Sequence, residues 1–183
     1  MNKVAFIGHR NVLDISLREK LYKVVEKQVL DGNCHFIMGT HGEFDKLALS
    51  VCRELKKIYP NISIEVVLTS ITPLKKKIYD GEQFSDLSTF KLKHPDFEDE
   101  DFKHLEIFSE YDDVQTKMYD IEQEHYKKRI TTSNKKMIDE SGTAICYVDC
   151  DRSRSGAKLT YKYAQKKGLK TINLFKSFFN AFF

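Results

Sequence analysis

The sequence predicts an α/β fold built on a mostly parallel sheet of about five strands, covered by helices on both faces. Three observations predict it. Short apolar runs alternate with longer stretches whose apolar residues recur at helical spacing. Several of the runs end at a glycine-containing turn that opens the next helical stretch. And 183 residues, 41% of them hydrophobic, are enough for one buried core without staples.

The elements follow in order. Val4-Ala5-Phe6-Ile7, closing at Gly8, is a buried strand. Leu17, Leu21, Val24, Val25 and Val29 define an amphipathic helix from about Asp14 to Leu30, capped by Asp14 or Ser16 and ended by Asp31-Gly32. Cys34 to Met38 is a second strand, running into Gly39. Phe44, Leu47, Ala48, Val51, Leu55 and Ile58 mark a second helix, stopped by Pro60. Ile62 to Leu68 is a third strand. After Thr69 the periodicity is lost, and about 81–110 reads as an insertion with an acidic cluster, Asp96 to Asp101, and five phenylalanines. Regularity returns with Ile130, Met137 and Ile138, a helix ending at Ser141-Gly142. Ala144 to Val148 is a fourth strand, Ser155 to Lys167 a helix closed by Gly168, and Thr171 to Phe175 a fifth strand. The tail, with Phe178, Phe179, Phe182 and Phe183, is expected to pack on the body or on a second subunit. One domain, 1–183, is expected.

Composition excludes several classes. No apolar run approaches the roughly 20 residues of a membrane helix, and the apolar start stops at Gly8-His9-Arg10, too short for an export signal. The four cysteines contain no CxxC pair and read as reduced thiols, so a cytoplasmic location is expected and no metal site is called for. No cofactor is called for either. Charge is uneven: Asp80 to Glu124 holds 15 acidic and 4 basic residues, a local −11 against +14 for the remainder. A basic body can attract phosphates or nucleic acid, or be neutralised by its own acidic segment.

In a parallel sheet, ligands bind beyond the carboxyl ends of the strands. Gly8-His9-Arg10 ends the first strand, and Arg10 offers a fork of donors to an anion or is a plain surface arginine. Gly39-Thr40-His41-Gly42-Glu43-Phe44-Asp45 ends the second, a loop whose free amides and helix dipole attract anions. There Glu43 and Asp45 are either dipole-favoured first-turn carboxylates or ligand contacts, Asp45 to a ribose. After the fourth strand, Ser155-Gly156-Ala157 is a second candidate anion turn, and Arg152 and Arg154 beside it are either ligand contacts or solvated loop charges. His9 and His41 fit a neutral hydrogen-bonding role better than a metal site.

These residues resemble a family. Phe6 to Arg10, Met38 to Ala48, Asn134 to Ser141, and Ser155-Gly156-Ala157 with Tyr163-Ala164 look like the SLOG superfamily, the Rossmann-like group of the lonely-guy phosphoribohydrolases and the DNA-processing protein of natural transformation. The nearest branch is the uncharacterised bacterial and phage one whose first strand ends in "GHR". The resemblance implies a Rossmann-like three-layer sandwich and, together with the aromatic tail, a homo-oligomer. The chain departs from the branch at Ser133, where an arginine is usual, and at Ser155, where a glycine is usual. The hydrolases' catalytic glutamate after the last glycine turn has no counterpart in Gly156 to Tyr161. The resemblance therefore implies binding of a nucleotide-derived ligand of ADP-ribose or cyclic ADP-ribose type, by a sensor or by a sponge for an antiviral signal, more than turnover.

On that expectation phosphates sit on the Gly39–Asp45 and Ser155–Ala157 turns, Arg10 neutralises charge, Asp45 or Asn134 holds ribose hydroxyls, and Tyr79 or Tyr111 stacks on a base. An enzyme cleaving an N-glycosidic bond through Glu43 or Asp45 is the first alternative, and nucleic-acid binding by the basic body the second.

Overall fold

The computed structural model describes residues 3–69, 111, 113–119, 121, 125–153 and 155–175. The insertion at about 81–110, Tyr79, Arg154 and the aromatic tail from Phe178 lie outside the described residues. Six strands and four helices run in the order β1 (Lys3–Gly8), α1 (Leu17–Leu30), β2 (His35–Met38), α2 (Glu43–Ile58), β3 (Ser63–Leu68), β4 (Gln115–Met118), α3 (Tyr126–Asp139), β5 (Ser141–Tyr147), α4 (Gly156–Lys166), β6 (Lys170–Asn173). The sheet order is β4-β3-β2-β1-β5-β6, and every pairing is parallel.

Strand alternation sorts the core into two layers. Val4 and Phe6 of β1 face the α1–α2 side with Phe36, Leu21, Val25, Phe44 and Leu55. Ala5 and Ile7 face the α3–α4 side with Met137, Ile138, Ala144, Cys146 and Ala164. Burial on both faces explains why β1 reads as an unbroken apolar run. No helix among the described residues is long and apolar enough to cross a membrane.

Local chemistry sets the ends. Asp14 accepts from the Ser16 amide at 2.9 Å and hydroxyl at 2.6 Å, an Asx turn that delays α1 to Leu17. Gly32 and Gly168, with φ of 87° and 76°, close α1 and α4 in Schellman motifs. In each motif the glycine amide and the next amide reach back to carbonyls of the last turn: Val29 and Gln28 in α1, Gln165 and Ala164 in α4.

The sheet departs from the expectation in three places. β4 lies outside the expected strands, because three of the four residues in Gln115-Thr116-Lys117-Met118 are polar. It is stabilised by pairing with β3 and by Lys117, whose ammonium lies 2.7 Å from Glu140 and 3.5 Å from Glu65. Lys3 joins the same two carboxylates, Glu65 at 2.6 Å and Glu140 at 3.0 Å, so four charges tie β1, β3, β4 and the end of α3. β5 starts at Ser141, since α3 ends at Asp139 and leaves only Glu140 between them. β6 ends at Asn173, whose side chain takes over the pairing with Val148: Oδ1 accepts from its amide at 3.0 Å, and Nδ2 donates to its carbonyl at 2.9 Å.

Candidate ligand site at the carboxyl edge of the sheet

The chain leaves β1 for β2 on one side and later returns to place β5 on the other. Connections diverge at such a point, and a crevice opens beyond the carboxyl ends of the strands. A pocket of about 350 Å³ lies there, lined among the described residues from both flanks of β1 and from α3.

On the β2 flank two loops are locked together. Gly8 lies against the Phe44 ring so closely that a Cβ would come within 2.2 Å of it. A Cβ on Gly42 would lie 2.9 Å from the Arg10 Cα and 3.1 Å from the His9 carbonyl oxygen. Packing demands both glycines. Across this contact the Glu43 amide donates to the Arg10 carbonyl at 2.8 Å, and the Glu43 carboxylate accepts from the Val12 amide at 2.6 Å. Arg10 Nε donates to the His41 carbonyl at 3.3 Å, which fixes a guanidinium at the rim of the pocket.

The loop expected to offer free amides is already engaged. Asp45 Oδ2 accepts from the His41 amide at 3.0 Å and from the Gly42 amide at 3.2 Å. This is one half of a capping box: a carboxylate in the first turn reaches back to the N-cap. The chain thus supplies its own carboxylate to those two amides. Burial outweighs the two amides and raises Asp45 to about pKa 6. It lines the pocket. Gly39 backs onto this carboxylate, 3.4 Å from Oδ2 to an added Cβ. Gly39, Thr40 and Glu43 are not among the lining residues.

The β5 flank is built differently. His9 is buried, and its Nε2 accepts from the Asp149 amide at 2.7 Å while Nδ1 lies 3.3 Å from Ser155 Oγ. Burial, then the nearby Arg152 charge, hold its pKa below the usual histidine range. Burial and Arg10 do the same for His41, whose Nε2 contacts the Thr69 hydroxyl. Both rings line the pocket as neutral groups with separate partners. Ser155 caps α4 by accepting from the Lys158 amide at 3.3 Å. The Gly156 and Ala157 amides, in the first turn, have no carbonyl one turn back within the helix, and both residues line the pocket. Asn134 and Ile130 close it from α3.

Ten of the fourteen expected site residues therefore meet around one cavity: Gly8, His9, Arg10, His41, Gly42, Asp45, Asn134, Ser155, Gly156 and Ala157. Tyr111, expected to stack on a base, is 8% exposed and packs into the α1–α2 core instead. Arg152, read from the sequence as either a neighbour of the anion turn or a solvated loop charge, lines the cavity. Its signal was its place just after a strand and before a capped helix. Ser133, where the resembled branch has arginine, is fully buried, which leaves no room for a longer side chain.

No protein-family model and no curated protein sequence matches the chain. Among solved structures it is similar to DNA processing protein A from Helicobacter pylori, a protein with a unique single-stranded DNA binding mode. The TM-score is 0.55 at 16% identity, over 97% of this chain and 66% of that one, so this chain spans just under two thirds of that protein's length. The fold is Rossmann-like. In a Rossmann-like sheet the crevice between β1 and β5 is the switch point, and the pocket occupies it.

Proposed function

We propose that the chain binds a phosphate-bearing, nucleotide-derived ligand in the crevice between β1 and β5, without turning it over. One observation carries this reading. Arg10, Arg152 and the N-terminus of α4 converge on a single pocket whose only carboxylate among the described residues is Asp45. Guanidinium forks and helix N-termini are both phosphate-directed. A volume of about 350 Å³ lies in the range of small-molecule pockets and suits a mononucleotide unit. Within this reading the SLOG resemblance favours ligands of ADP-ribose or cyclic ADP-ribose type, and the role of sensor or sponge.

Thermal shift followed by calorimetry tests it, with AMP, ADP-ribose, cyclic ADP-ribose isomers and NAD. A ligand at 100 times its Kd adds about 2.7 kcal/mol of stability. Arg152→Ala is expected to cut that gain to about 1.4 kcal/mol or less at the same ligand concentration. Recovery of the ligand in cleaved form would replace binding by an N-glycosidic enzyme using Asp45. Silence across the panel would sink the reading.

A second reading has a specific observation behind it: the likeness to a single-stranded DNA binder. It predicts oligonucleotide binding that weakens steeply with salt. Salt-insensitive or absent binding of oligonucleotides removes it.

A further inference from the structure

Resting on the nucleic-acid reading above, we infer that the solvent face of α4 is a track for the phosphate backbone of a nucleic-acid strand, leading away from the Arg152 loop.

Charge of one sign collects at this end of the chain. Of its 30 basic and 27 acidic residues, 152–183 hold eight of the former and none of the latter. Within α4 the charges form a line. Lys158, Lys162 and Lys166 recur at every fourth residue, so they climb one side of the helix about 6 Å apart. That side is turned away from Thr160 and Ala164, the buried residues of α4. Arg152 heads the line, because the Lys158 ammonium donates to its carbonyl at 3.0 Å. Lys170, at the start of β6, extends the run beyond the helix.

These charges are not neutralised within the molecule. Lys162, Lys166 and Lys170 are exposed and have no ion-pair partner among the described residues. Lys167, off the line, is the lysine that reaches Asp139, at 2.7 Å. The first two helices are arranged otherwise. Lys23 of α1 pairs with Glu19 at 2.6 Å, and Arg53 of α2 pairs with Asp113. Like charges four residues apart repel along a helix, and α4 carries no carboxylate to offset them. A file of phosphates offsets them and releases its own counterions as it binds. A single line of cations matches the backbone of one strand. An anionic membrane fits less well, because an interfacial helix needs an apolar face to insert. Leu159 is the only exposed large apolar side chain of α4.

The experiment is fluorescence anisotropy of the full chain with a labelled oligothymidylate, from about 50 to about 200 mM salt. Contacts from Arg152, Lys158, Lys162 and Lys166 give a log–log salt slope of about −2.8, a loss of roughly 50-fold over that range. Lys162→Gln with Lys166→Gln keeps helix propensity. It is expected to bring the slope to about −1.4 and to weaken binding at about 50 mM salt by roughly tenfold or more. Lys27→Gln with Lys57→Gln removes the same charge from exposed positions of α1 and α2 and is expected to leave the slope unchanged. If the α4 double variant does not fold, the single changes decide, each expected to lower the slope by about 0.7. Equal effects from the two pairs, or none from the α4 pair, overturn the track while wild-type binding leaves the nucleic-acid reading standing. Wild-type binding that is absent or insensitive to salt removes that reading, and the track with it. Co-sedimentation with phosphatidylserine vesicles in that outcome assigns the row to a membrane and likewise overturns the track.

Discussion

The two flanks of β1 begin alike and end differently. Each is a strand running into a glycine-containing turn at the start of a helix. On the β2 side the helix brings Glu43 and Asp45 in its first turn, and both carboxylates fold back onto loop amides. On the β5 side the first turn of α4 holds no acidic residue, and its leading residues line the pocket. A glycine turn before a helix is thus open to a foreign anion only if the helix carries none of its own within reach. The closed flank locks two loops and presents Arg10, whereas the open flank offers donors.

Breaking the closed flank gives the largest effects. Gly8→Ala places a methyl inside the Phe44 ring and is expected to cost about 3 kcal/mol or to prevent folding, measured by urea unfolding. A loss under about 1 kcal/mol would show that the loop contact is soft.

Asp45 sharpens the comparison through pH. Its folded pKa of about 6 is raised above the unfolded value of about 3.9, so ionisation weakens the fold. This contribution is neutral below about pH 4, becomes progressively destabilising up to about pH 6, and is constant above, amounting to roughly 2–3 kcal/mol. Several other carboxylates, Asp14, Asp113, Asp139 and Glu140, are held low by basic partners or hydrogen bonds, and their stabilisation is lost as pH falls. Asp45→Asn isolates its share. Relative to wild type, the variant should gain stability as pH rises from 4 to 7 in chemical denaturation, and parallel profiles would contradict the raised pKa.

Arg152→Ala probes the open flank. Loss of charge-assisted hydrogen bonds is expected to weaken AMP roughly 10- to 100-fold, with stability changed by less than about 0.5 kcal/mol. Glu43→Gln should have the smallest effect. It weakens the clip to the Val12 amide, lowers stability by about 1 kcal/mol, and leaves AMP within about threefold of wild type in calorimetry. A larger fall in affinity than in stability would move Glu43 into the binding machinery.

Much of the fold was legible because burial leaves a period. β1, α1 and α2 follow their apolar patterns, and the glycine that ends α1 could be read directly. β4 was not legible, because an edge strand of four residues with polar members has no period to show; its stability lies in the β3 ladder and the Lys117 contacts. In the site, residue types after the strands pointed to the edge of the sheet at which the pocket lies. What they could not show was direction. Tyr111 turned into the core and Arg152 turned toward the cavity are set by tertiary neighbours, and no local spacing encodes them.

The Asn173 side chain has a mechanical consequence. β5 and β6 part company where the crevice begins, and a parting of strands ordinarily strands a peptide group with nothing to bond. Here one amide side chain stands in for the missing rung on Val148, donating and accepting as a neighbouring backbone would. The sheet therefore ends in a finished hem. The loop that carries Arg152 leaves the sheet from a peptide group whose donor and acceptor are both already tied off.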